Sequence, residues 1–185
     1  MKILCLCACI WLNSIGYCQL NDSIKYVIKS ECLALLDKDQ VKEAPEYFTK
    51  HNDSLDKIRE AYFIDNFKWL ISITRQYGFP TYKLLRAAGD SLQPKGFGSW
   101  QVFPSMAIIH ILQTAPKMLV ADDVVQLFKE EIEKGNMRRN FISDALDLYT
   151  MHSTPCKEDE AKVTNALRTW GIPTLDSNYF SDCGK

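Results

Sequence analysis

The feature that most limits what this chain can fold into is an apolar stripe at helical spacing that stops abruptly. Leu55, Ile58, Tyr62, Phe63, Phe67, Leu70, Ile71, Thr74 and Tyr77 recur three and four residues apart. That spacing puts them on one side of an α-helix. Asn52 or Asp53 can cap its start. A helix of about 25 residues is roughly 37 Å long at 1.5 Å per residue. Gly78 can turn left-handed and Pro80 has no N–H to continue the ladder, so the helix must end there.

The rest of the chain repeats this grammar. Asn21 or Asp22 can cap a first helix with Ile24, Val27, Ile28, Cys32, Leu35 and Leu36 on one side. A polar stretch, 37–42, follows, and 43–50 predicts a short helical piece around Pro45. Thr81 can cap a shorter helix carrying Leu84, Leu85 and Ala88. The segment 93–99, with Pro94, Gly96 and Gly98, reads as a loop. Ser105, with Pro104 just outside, starts the most apolar stretch, 106–112, which is expected to be the central helix and to end at Pro116. Asp122 caps a helix with Val124, Val125, Leu127, Phe128 and Ile132 inward and Gly135 at its stop; Asn140 caps another, broken at Pro155. A final helix over 157–170 is stopped by Gly171 and Pro173. No segment alternates with period two, and no Asn-Gly or Asp-Gly turn occurs. The expected fold is all-α, a compact single-domain bundle of about seven helices.

The heptapeptide from Arg75 to Thr81 echoes that from Arg168 to Thr174, with Tyr77-Gly78-Phe79-Pro80 answered by Trp170-Gly171-Ile172-Pro173. Two copies do not make a solenoid. A shared helix stop explains them: an aromatic that packs, a glycine cap and a proline terminator.

The N-terminus reads as an export signal. Lys2 is followed by an uncharged, almost wholly apolar run, 3–15, too short for a membrane span of roughly 20 residues. Gly16 and Cys18 are small residues at −3 and −1 if cleavage precedes Gln19. Lipidation at Cys18 is disfavoured by the bulk of Tyr17. The expected product is an exported domain, 19–185, periplasmic or extracellular, with no transmembrane segment in the mature chain. Removal of 18 residues from 185 leaves 167, enough for a real core. The 22 basic and 23 acidic residues balance, so no global field attracts nucleic acid.

Cys32, Cys156 and Cys183 remain after cleavage. Their spacing fits no zinc pattern, so no metal is expected, and no cofactor motif is present. Cys156 and Cys183 flank the last helix and could clamp the C-terminal tail by a disulfide, which export permits. Cys32 falls on the apolar side of the first helix and reads as core.

An ordered set of short motifs runs along the chain. Asp39-Gln40 follows the first helix, and Asp65, Asn66 and Trp69 lie on the long one, which ends in Tyr77-Gly78-Phe79-Pro80. His110 lies on the apolar helix, and Arg168, Gly171, Ile172, Pro173, Leu175 and Tyr179 close the series. This set resembles a bacterial family of mostly helical proteins with the pattern Asp-Gln, Tyr-Gly-Trp-Pro, Gln-His and Tyr-Gly-Thr-Gln. The resemblance implies a helical fold and no particular activity. Here Lys42 stands near the family's arginine, Ile109 precedes the histidine, and Tyr-Gly-Thr-Gln is missing between Tyr149 and Cys156.

Candidate chemistry is sparse. His110 is either a core histidine or a pocket-facing acid or base, suited by its pKa to neutral pH. Asp39, Gln40, Asp65 and Asn66 could converge as a polar cluster, or Asp39 could cap a helix and Asp65 offset Lys68 or Arg59. Phe97 and Trp100, beside Gly96 and Gly98, could anchor a contact loop for a partner or merely form a long connection. Met137-Arg138-Arg139 reads as a solvated turn. Two functions follow: a binding or interaction module using the Phe97 loop, with an unknown protein or small-molecule partner, or a hydrolase-like enzyme using His110 with Asp39 or Asp65.

Overall fold

The computed structural model describes residues 20–39, 53–86, 100–152 and 155–182, without the side chains of 39, 53–55 and 148–152. The expected signal segment, the piece expected over 43–50 and the loop expected over 93–99 lie outside these residues.

Eight α-helices occur among the described residues: α1 (Asp22–Asp39), α2 (Asp53–Tyr77), α3 (Tyr82–Leu85), α4 (Phe103–Thr114), α5 (Pro116–Leu119), α6 (Asp122–Glu133), α7 (Asn140–His152) and α8 (Glu160–Trp170). Single 3-10 turns cover Lys157–Asp159 and Ser177–Tyr179. The all-α expectation holds, with one helix more than about seven. The extra element is α5. Pro116 ends one helix and also opens the next, because the first turn needs no proline N–H. For the same reason α4 begins at Phe103, with Pro104 inside its first turn rather than outside it.

Helix α4 is central, as its composition predicts, and packs against α1, α2, α5 and α7. Phe103, Ala107, Ile108, Ile111 and Leu112 are buried along it. Helix α1 is started by Asn21, whose Oδ1 accepts from Ile24 N at 2.9 Å. It buries Ile28, Cys32 and Leu36, and also two lysines. Lys25 Nζ donates to Arg86 O at 2.9 Å, and Lys29 Nζ stands 5.5 Å over the Trp100 ring. These two cations hold chain positions 86 and 100 against one helix.

A second centre of packing is aromatic. Phe128 of α6 is fully buried and meets Phe79 edge-on at 5.9 Å and Trp170 at 6.2 Å. Phe79 also meets Phe141 at 5.5 Å. Trp170 is anchored further by its Nε1, which donates to Val125 O at 3.0 Å. Truncating a ring buried this way costs about 3–5 kcal/mol. The ends of α2 and α8 therefore converge on α6 from two sides.

Both chain stops follow their expected chemistry. Gly78 has φ +98° and Gly171 φ +66°, conformations that a side chain rarely adopts. Both stops bury the residue that follows the glycine, Phe79 fully and Ile172 nearly so, but Pro80 is buried while Pro173 and Thr174 are exposed.

Candidate functional site

Of the candidate residues that are described, His110 and Asn66 are buried whereas Asp65 is exposed. His110 is buried on α4 and stacks on Phe63, with ring centroids 4.0 Å apart and an interplanar angle of 25°. Arg59 lies over Phe63 at 5.1 Å. Asp65 faces away from this stack: its side chain is 73% exposed and pairs with Lys68 at 3.8 Å. The acid–base pairing of His110 with Asp65 is therefore not made. Asn66, one position on, turns inward and is buried. The Asp39 side chain, Gln40, Phe97 and Cys183 lie outside the described residues.

Trp100 is also not the exposed anchor expected of it. It is 1% exposed and packs under Lys29 in the core. Cys32 is a core residue as read, and burial, with the charge of Glu31 beside it, pushes its thiol above the ordinary range, so it is a poor nucleophile.

Among the described residues a larger concavity lies elsewhere. One wall is the elbow after α2 together with α3: Pro80, Thr81, Tyr82, Lys83 and Arg86. The facing wall is the turn from α6 to α7: Gly135, Asn136, Arg138 and Phe141, with Gln101 between. Its volume is about 800 Å3, within the range of ligand clefts. Lys83 Nζ reaches across to Gly135 O at 3.3 Å. Lys83, Arg86 and Arg138 are exposed, and no carboxylate is among the described lining residues. The Thr81 Oγ1 atom is buried here without a hydrogen-bond partner. Thr81 precedes α3 but does not cap it with its side chain, contrary to expectation.

What brings the walls together is Glu131, a residue that sequence reasoning passed over. It is 2% exposed. Its Oε2 accepts from Phe79 N at 2.8 Å and from Asn136 Nδ2 at 2.9 Å, and its Oε1 accepts from Lys134 Nζ at 2.9 Å. A buried carboxylate is tolerated only when so satisfied. One of its donors belongs to the elbow and another to the facing turn. A β-carbon on Gly78 would stand 3.1 Å from Glu131 Oε2 and 3.2 Å from Asn136 Nδ2, so glycine is needed there for space as well as for conformation.

The Met137-Arg138-Arg139 turn is only partly solvated. Met137 is 2% exposed, Arg138 borders the cleft, and the Arg139 guanidinium packs against Gly171. A smaller apolar cavity of about 60 Å3 lies between Leu112, Leu146, Leu167, Trp170 and Cys156, too small for a drug-sized ligand. Cys156 itself is disulfide-bonded, and pairs as an isolated bridge with Ser181, whose N–H donates to Pro155 O at 3.0 Å.

Among the described residues no group of three His, Cys, Asp or Glu side chains gathers as metal ligands would, and no helix is long and apolar enough to cross a membrane. Comparison of the chain with known protein families, with characterised proteins and with solved structures returns no match.

Proposed function

We propose that this chain is a binding module, that its seat is the cleft between α3 and the α6–α7 turn, and that its ligand is anionic. The observation that carries this reading is the one-signed lining: Lys83, Arg86 and Arg138 with no described carboxylate among them. A concave surface of one sign focuses its field and concentrates counter-charged ligands, although the chain as a whole is nearly neutral. The reading keeps a binding role near 87–99, which Arg86 and Gln101 border, but moves the contact residues from Trp100 to the basic wall. The alternative, a hydrolase-like enzyme using His110, loses Asp65 as its partner, because that carboxylate faces solvent.

Export remains part of the proposal. A disulfide at Cys156 supports it, because such bonds persist in oxidising compartments. Cys32 is free, so the partner of Cys156 is a cysteine outside the described residues. We infer Cys183, two positions beyond Ser181; a non-reduced peptide map linking Cys156 to any other cysteine would refute it.

Isothermal titration of the exported domain with citrate and with a neutral polyol of similar size tests the binding role. Citrate binding that is lost in Lys83→Glu/Arg138→Glu supports it. Equal heats from both probes, or citrate binding unchanged in the double variant, overturns it.

A further inference from the structure

We propose that the natural occupant of this cleft is an acidic segment of a polypeptide rather than a small metabolite; the inference rests on the anion-binding reading above. A small-molecule pocket encloses most of its ligand. This cleft is open to solvent instead. Its cations are all exposed, and Tyr82, on the same wall, is 48% exposed. Tyrosine and arginine around a partly covered apolar side chain are the composition of a polypeptide contact, where they carry most of the binding energy. Phe141 supplies that apolar element; it is half-buried, held from behind by Phe79.

Charge complementarity selects the partner. Clustered lysine and arginine recognise acidic motifs, with guanidinium groups able to grip carboxylates in two-point fashion. A basic segment would be repelled by Lys83, Arg86 and Arg138, and a neutral one would leave their charge uncompensated. Glu131 sets the spacing of the two walls, because it ties Phe79 N to Asn136.

The test is fluorescence anisotropy with the whole exported domain and short labelled peptides. One carries a Glu-Asp-Phe-Glu core and its analogue carries Gln-Asn-Phe-Gln. Citrate and phosphatidylglycerol vesicles form separate arms. The acidic peptide should bind at least about tenfold more tightly than its amide analogue, and Arg138→Glu should weaken it by roughly fivefold to tenfold. Its affinity should fall as salt is raised, since the cations are exposed. Thermal melts of Arg138→Glu that match wild type separate lost contact from lost fold; Lys83→Glu serves if they do not. Citrate binding as tight as the peptide's overturns the peptide assignment while leaving the anion reading intact. Vesicle binding without peptide binding also overturns it. Silence in every arm refutes both.

Discussion

Two elbows of this molecule share a sequence pattern and differ in what they do. Tyr77-Gly78-Phe79-Pro80-Thr81 and Trp170-Gly171-Ile172-Pro173-Thr174 each end a helix with a left-handed glycine and forbid its continuation with proline. After Gly78 the chain dives inward. Phe79 is fully buried between Phe128 and Phe141, its N–H is held by Glu131, and Pro80 and Thr81 become a cleft wall. After Gly171 only Ile172 turns inward; Pro173 and Thr174 are exposed, and the flexible Arg139 side chain lies against the glycine. The backbone stop is therefore a local property of five residues. Whether it becomes part of a site depends on a distant partner, here a single buried carboxylate.

Three substitutions break this comparison, the largest expected effect first. Glu131→Ala removes the buried acceptor of Phe79 N and Asn136 Nδ2, and should destabilise the domain by about 3–5 kcal/mol in chemical denaturation. It should also weaken anion binding beyond what the stability loss explains, because the two walls lose their tie. A change below about 1 kcal/mol would show that the node is ornamental to the fold. Gly78→Ala comes next. Left-handed strain of roughly 1–2 kcal/mol adds to a collision with Glu131 and Asn136, for a total of about 2–3 kcal/mol. For a domain of this size that is a fall in Tm of roughly 4–12 °C. Gly171→Ala should cost least, about 1 kcal/mol, because the Arg139 guanidinium can swing aside. It should leave ligand affinity unchanged. Equal costs at the two glycines would mean that strain alone, and not Glu131, distinguishes the elbows.

The helical fold was legible because its signals are local. Periodicity located α1, α2, α6, α7 and α8, and each glycine stop fell where a left-handed residue was needed. Helix α5 was not, because Pro116 is read as a terminator although proline equally suits a first turn. The candidate site was scarcely legible. Its two walls are some fifty residues apart, joined by a contact of sequence separation 52, and no motif spans that distance. One signal was available. Glu131 lies three residues after Phe128 and seven after Val124, on the buried side of α6. Lys25 and Lys29 break the apolar stripe of α1 in the same way. A charge at a core position marks a tertiary partner that the sequence itself does not name. Conversely Trp100, expected to anchor a partner, is consumed by the core through Lys29.

The most direct test of the cleft as the working surface uses both elbows at once. Backbone amide shifts of the isotopically labelled domain are followed while the acidic peptide is titrated in. The account predicts that amides of 81–86 and 135–141 move together with one saturation curve, while those of 171–175 stay still. Shifts centred on the Gly171 elbow, or spread evenly over both elbows, would contradict it.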